Sequence, residues 1–432
     1  MSPTIIGVLG FIVLFALFAL RLPVGIGLAA VGFGGLCYLL SPHAAMSKIA
    51  ITLSNTLLSY DLAVLPLFLF MAFIIFTSRL GTDLYNLAAR WVGHQPGGIA
   101  MATITGCAAL AAISADNLSP ATTMSLVAFP EMKRFNYDRA LSVGSIAVGG
   151  TLGILIPPSA MFITYGLLTE TSIGKLFIGG IVPGVILAFF YMVTIYLLCR
   201  WKPSLGPPGP RFTFKEKVVA FRTSGELLVL IILLLVGIVV GWFTPTEAGA
   251  MGAFLAILIS LIRRRLNWQS FKEAIITTTE ITGMVYCMLI GAFVFQYFSA
   301  VSQIPFWLGD TLSKLAVPPM VVVAGFVLVY LLLGCIMDGL AMMLCTIPIF
   351  FPVVQALGID PVWFGIVITI MMMMAIITPP VGINLFVISA ACKEPLTTVY
   401  KGVLPFIVAD VVHVALMFAF PSLVLFLPGL MR

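Results

Sequence analysis

The sequence returns again and again to apolar runs of one length. Thr4–Leu20, Val24–Leu40, Leu62–Ser78, Phe177–Cys199, Leu227–Phe243 and Gly402–Leu427 each supply the ~17–25 residues with which a helix crosses the hydrocarbon of a bilayer. A soluble domain would alternate apolar and polar positions instead. With 61% hydrophobic and 9% charged residues among 432, the chain reads as an all-α integral membrane protein. The first run has no basic segment before it and no small-residue cleavage site, so it reads as a span and not as a signal peptide. The net charge of +6 lies in the loops and speaks of topology, not of nucleic acid.

Reactive groups are sparse. Cys37, Cys107, Cys199, Cys287, Cys335, Cys345 and Cys392 lie mostly in apolar segments, with no CxxC or other metal spacing. His43, His94 and His413 are far apart and lack a ligand pattern. The chain offers no nucleophile–base pair, so it reads as a non-enzyme without cofactor.

Shifted by 222 residues, the sequence lies on itself without a gap. Pro23 falls on Pro245, Gly27 on Gly249, Phe73 on Phe295, Pro96 on Pro318, Asp116 on Asp338 and Leu118 on Leu340. The register continues through Pro130 on Pro352, Asp138 on Asp360, Pro157-Pro158 on Pro379-Pro380, Gly180 on Gly402 and Pro183 on Pro405. Six of the fourteen prolines before position 211 land on a proline, where composition predicts about one. Breaks and turns repeat while apolar filler has drifted, as in a duplicated transporter half. The first repeat occupies 1–203, a linker 204–224 (around the Pro/Gly-rich Ser204–Pro210) and the second repeat 225–432.

Each repeat opens with two spans. Lys48–Ser59 is too polar to span and reads as interfacial; Leu62–Ser78 is the third span. Residues 99–130 are apolar but split by Ser114–Pro120, and the arms Ile99–Ile113 and Ala121–Pro130 fall short of a bilayer, which fits a re-entrant hairpin. A span over 140–168 is broken at Pro157-Pro158, and Phe177–Cys199 closes the repeat. The second repeat carries the equivalent hairpin at 320–356 and broken span at 362–392. Five crossings per repeat, about ten in all, invert the second repeat relative to the first. Loop charges agree with that count. It places eighteen Lys and Arg on one face and only Lys48, Lys175, Lys314 and Arg432 on the other. The rich face is then cytoplasmic and both termini are periplasmic.

Two hairpin tips and two breaks converge by symmetry. Unwound carbonyls at membrane depth suit Na⁺, and half-helix N-termini suit a carboxylate. The Na⁺ candidates are Ser114, Asp116 and Asn117 at the first tip, and Gly150 and Thr151 by the first break. Gly334, Asp338 and Gly339 at the second tip and Thr378 and Gly382 at the second break complete them. Asp116 and Asp338 serve equally as helix N-caps, and Thr151 and Thr378 can bond a carbonyl one turn back. Substrate candidates are Ser119, Pro157, Pro158, Ser159, Pro379, Pro380 and Asn384, the last as an orienting amide. Met371–Met374 reads as soft packing and Arg263-Arg264-Arg265 as a surface anchor.

GGTLGILIPPS (149–159), FPEMKRFNYDRA (129–140), GCIMDGLAMM (334–343), ALGIDPVWFG (356–365) and ITPPVGINLFV (377–387) resemble the large membrane subunit of tripartite ATP-independent periplasmic (TRAP) transporters. The resemblance covers essentially the whole chain. It departs from the family pattern at the first tip, Ser114-Ala115-Asp116-Asn117, and at Met371 and Met373 before the second Pro-Pro. It implies a Na⁺-coupled secondary importer of organic acids in the bacterial inner membrane, with Na⁺ as coupling ion and an elevator motion. It also implies two partners, a small four-helix membrane subunit and a periplasmic substrate-binding protein. The alternative is a stand-alone Na⁺-coupled carboxylate transporter that needs no binding protein.

Overall fold

The computed structural model describes residues 2–114, 118–314, 317–334, 336–379 and 382–431, and among them there is no β-strand. The first series of helices is α1 (Pro3–Ala19), α2 (Val24–Leu39), α3 (Pro42–Leu58), α4 (Val64–Thr77) and α5 (Gly81–Val92). It continues with α6 (Gly98–Ser114), α7 (Leu118–Arg134), α8 (Arg139–Leu155), α9 (Ala160–Thr169) and α10 (Ile173–Trp201). The second is α11 (Phe214–Val240), α12 (Pro245–Ile262), α13 (Trp268–Val301), α14 (Ile304–Lys314) and α15 (Pro319–Leu333). It ends with α16 (Gly339–Ala356), α17 (Pro361–Ala375), α18 (Ile383–Cys392), α19 (Leu396–Ala419) and the single turn α20 (Ser422–Leu425). Moved by 222 residues, the bounds of α5–α9 fall within three residues of those of α14–α18. Equivalent caps set equivalent starts. The Asp138 carboxylate accepts the Leu141 amide to open α8, and Asp360 accepts those of Val362 and Trp363 to open α17.

The helices sort into two bodies. In one, α2 lies along α13 and α4 along α12, with α1, α3 and α11 outside them. In the other, α8 is the hub and touches α6, α7, α10, α17, α18 and α19. Every residue of α8 from Leu141 to Leu155 is buried. Lipid gives no hydrophobic reward for helix pairing, so close backbone approach must hold such a hub. Gly144 and Gly402 provide it: a Cβ on either would collide with the other helix's backbone. The short helices α5 and α14 join the bodies, α5 against α6 and α11, α14 against α16.

Five features differ from the sequence reading. The polar segment around Lys48–Ser59 belongs to a helix that starts at Pro42, capped by Ser41. Pro130 does not end the first hairpin: α7 runs on to Arg134, and Pro352 likewise sits inside α16. The hairpin arms are therefore 15 to 18 residues long. Helix α11 begins inside the expected linker, at Phe214, because Thr213 and Glu216 form a reciprocal capping box. The amphipathic α5 was not anticipated, since at 12 residues it is too short to read as a span and its buried face includes Asp83. Finally α13 is one unbroken helix of 34 residues, about 51 Å at 1.5 Å per residue. Its counterpart is interrupted at Ser59, whose backbone is extended, before a 3₁₀ turn at Tyr60–Ala63 and α4.

Candidate translocation site

At the first break, α8 ends at Leu155 and Ile156 turns extended. Pro157 and Pro158 are joined by a cis peptide bond, and Ser159 opens α9. The Ser159 hydroxyl is fully buried and donates to the Ile154 carbonyl that the break would leave unpaired. Gly180 on α10 makes room, since a Cβ there would stand 2.7 Å from the Leu155 carbonyl. At the second break, α17 ends at Ala375 and the Thr378 hydroxyl donates to the Met374 carbonyl at 2.7 Å. Gly382 then adopts a left-handed backbone (φ +55°), which favours glycine, and α18 begins.

The segment beyond the second break is tied to α8. Asn384, in the first turn of α18, is buried and donates from Nδ2 to the Ala147 carbonyl of α8 at 3.3 Å. Its Oδ1 is buried and has no partner among the described residues. One turn along α8 from Ala147 lie Gly150 and Thr151, both buried, and the Thr151 hydroxyl donates back to Val148 at 2.7 Å. The second tip closes over the same region. Gly334 packs against Ala375 at the end of α17, and Gly339 faces Met161 just past the first break and Met372 of α17. Asp338 caps α16, its Oδ1 accepting the Leu340 and Ala341 amides at 2.8 and 3.2 Å. The capping role read for Asp338 is thus observed. At the first tip, Ser114 is the buried last residue of α6 and Ser119 lies in the first turn of α7. Asp116, Asn117 and Pro380 lie outside the described residues, while Pro379 is partly exposed beside Thr378.

Each repeat reaches into the other. Helix α7 packs on α18, and α16 on α9, so each hairpin's second arm covers the half-helix beyond the other repeat's break. The N-termini of α9 and α18 follow the two breaks, and α18 packs on α8. A helix N-terminus carries a partial positive charge, whereas at α16 the Asp338 carboxylate already takes the first amides. Such an enclosed polar point amid apolar packing suits a small anion.

A cavity of about 1120 Å³ lies where the two bodies face each other, between α3, α13 and the Gly241–Glu247 turn on one side and the end of α9 on the other. Lys48, Asp61, Glu170 and Glu247 line it. Gln296 of α13 donates across it to the Leu168 carbonyl of α9 at 3.2 Å. The Glu247 carboxylate accepts the Thr244 amide and hydroxyl at 2.8 and 3.0 Å, part of a capping box that opens α12.

Residues 11–423 match the family described as "Tripartite ATP-independent periplasmic transporter, DctM component". The chain belongs to this family. It is 34% identical over 397 residues to the C4-dicarboxylate TRAP transporter large permease protein DctM of Pseudomonas aeruginosa, covering 92% of each chain. It is 30% identical to the sialic acid TRAP transporter large permease protein SiaM of Vibrio cholerae, covering 86% of this chain and 87% of that one. The fold resembles the Alcanivorax borkumensis YdaH transporter, with a TM-score of 0.59 and 13% identity, over 88% of this chain and 89% of that one. The protein is therefore a TRAP large permease, a multi-pass integral membrane protein and a transporter component.

Sequence reasoning missed several polar groups in this permease. Asp83 of α5 is largely buried and meets Arg265 at 3.0 Å and Arg263 at 3.8 Å, while Arg263 also meets Glu226 at 3.1 Å. The basic run read as an anchor is thus half engaged in tying α5 to α11 and α12. Asp410 and His413 are fully buried in α19. The signal was present: an aspartate and a histidine three apart inside the last apolar run, where an ionisable group is a functional candidate by default.

Proposed function

We propose that this permease carries a small organic acid with Na⁺ across the bacterial inner membrane. The body around α8 moves as an elevator against the body built on α13. The observation that supports this reading is Asn384, which ties the half-helix beyond the second break to α8 and keeps a buried amide oxygen without a partner among the described residues. A substrate hydroxyl or a coupling cation is the natural partner for that oxygen, and the helix N-termini suit the carboxylate. Relatives named for C4-dicarboxylates and sialic acid support a small carboxylate as the cargo. In this reading Na⁺ is held by Ser114, Asp116, Asn117, Gly150, Thr151, Gly334, Asp338, Gly339, Thr378 and Gly382. The substrate lies against Ser119, Pro157, Pro158, Ser159, Pro379, Pro380 and Asn384. The eighteen-to-four bias of basic residues supports periplasmic termini. The family supplies the partners: a small membrane subunit and a periplasmic binding protein.

The test is reconstitution. The chain, its small subunit and its binding protein are placed in proteoliposomes, with succinate and N-acetylneuraminate as probes. Uptake that needs a Na⁺ gradient and all three proteins supports the reading. Uptake by the large chain alone carries the stand-alone alternative, and uptake indifferent to Na⁺ overturns the coupling.

A further inference from the structure

Helices α10 and α19 are the equivalent closing spans of the two repeats, and they pack against each other beside α8. At their contact the Tyr191 hydroxyl donates to Asp410 Oδ1 at 2.6 Å. Both side chains are fully buried. Asp410 Oδ2 has no hydrogen-bond partner among the described residues, and no cation reaches the carboxylate in an ion pair. One turn further along α19, His413 is equally buried, with neither ring nitrogen in a hydrogen bond. It sits edge-on to Phe190 and faces the Pro183 carbonyl outside hydrogen-bonding geometry.

The duplication sharpens the oddity of this cluster. The repeat register places Tyr191 on His413, and Asp410 on Ala188. The fold is thus satisfied by alanine at the equivalent point of the first repeat, and a carboxyl stands at one copy only. Among the described residues of α8, α10, α17 and α18, Tyr191 is the one titratable or charged side chain in hydrogen-bond or ion-pair contact with Asp410, and His413 lies on its own helix. The Thr151 hydroxyl, one turn before the first break, adjoins Tyr191 from α8.

We propose that Asp410 is a proton-binding site of the body that carries the breaks. An ionised carboxylate stripped of water regains little from a single phenol hydrogen bond, whereas the neutral acid forfeits only one hydrogen bond. In the closed arrangement the O–H bond is therefore formed at Oδ2, with Tyr191 keeping its own proton and donating to Oδ1. When the α10–α19 contact admits water, the proton passes to water, and reloading takes it from the aqueous phase. Through Tyr191 and Thr151 the protonation state bears on the end of α8, so the transport cycle becomes pH-dependent. This last step rests on the transport reading above; the proton site itself does not.

Infrared spectroscopy of the full-length protein in lipid nanodiscs tests the site directly. The wild type should show the carbonyl stretch of a protonated carboxyl at neutral pH, and Asp410→Asn, which keeps the acceptor for Tyr191, should lack it. Tyr191→Phe removes the donor that favours the charged form, so the band should persist to higher pH. Absence of the band in the wild type, or its survival in Asp410→Asn, overturns the proposal. In the reconstituted three-protein system, wild-type succinate uptake should change several-fold with pH across the range in which the infrared band disappears, and Asp410→Asn should flatten that profile. An unchanged profile in the variant removes the link to transport. A total lack of uptake in the wild type sinks the transport reading and leaves the infrared result standing.

Discussion

Asn384 of α18 donates its amide N–H to the Ala147 carbonyl of α8, 237 positions earlier in the chain, and leaves its amide oxygen buried without a partner among the described residues. A helix carbonyl that already serves its own helix gains little from a second donor. The bond's effect is to aim the oxygen. Asn384→Ala should therefore lower uptake at least tenfold while leaving the melting temperature within a few degrees, since one strained neutral hydrogen bond contributes about 1 kcal/mol. Uptake by purified variants in proteoliposomes, paired with thermal unfolding, measures both. Wild-type uptake in the variant would remove Asn384 from the substrate site.

Asp338 caps α16 and is also read as a Na⁺ ligand; two substitutions separate the roles. Asn caps as well as Asp, whereas Ala costs about 1 kcal/mol of helix stability. If the charge serves Na⁺, Asp338→Asn should raise the half-saturating Na⁺ concentration several-fold without loss of stability. If capping is the whole role, only Asp338→Ala should show a defect, and in thermal unfolding more than in Na⁺ titration.

Gly402 meets the backbone of α8 at Ala140 and Gly144. A methyl group there must push α19 from the hub, and overpacking of this kind costs about 1–3 kcal/mol. Gly402→Ala should lower the unfolding temperature measurably in detergent. Gly225→Ala, at a helix position where the added carbon meets nothing within 4 Å, should be neutral or stabilising.

The α5 anchor predicts a third kind of defect. Asp83→Ala leaves Arg265 and, in part, Arg263 without their acid; losing a hydrogen bond to a charged group costs about 1.5–3 kcal/mol. Because Asp83 is 9% exposed, high salt should weaken the wild-type contact only slightly. Comparable unfolding temperatures for variant and wild type would show the contact to be dispensable.

The elevator reading makes a mechanical prediction at the cavity. Gln296 and Leu168 belong to different bodies and touch. Cysteines at these two positions, in a background freed of the native cysteines, should arrest uptake when oxidised and restore it on reduction. Unimpeded uptake by the fully cross-linked protein would mean that the bodies do not slide past one another there.

Most of the architecture could be read from the chain because bilayers punish irregular backbone. Pro157-Pro158 and Pro379-Pro380 had to be paid for by local structure, and their 222-residue spacing exposed the duplication. The helix bounds from α5 to α9 recur in the second half for that reason. What escaped notice has physical causes as well. Pro130 looks like a stop, yet α7 runs through it to Arg134 because a single missing amide can be tolerated at a helix face. Helix α5 escaped because length-based reading favours spans over a 12-residue amphipathic segment. At the site, Asn384 and Asp338 stood out as polar residues beside breaks. Asp410 did not, since it lies mid-helix with no break to draw attention, and only its partner Tyr191 on a distant span reveals its setting.

The unequal treatment of one element in the two repeats carries a mechanical consequence. In the first half, α3 and α4 are separate rods joined at Ser59–Ala63; in the second, α13 is a single strut. Force applied to α4 can be absorbed by rotation at that knee, whereas force on α13 is delivered undiminished along its whole length. Two copies of one ancestral half have thus become a stiff beam and a jointed limb.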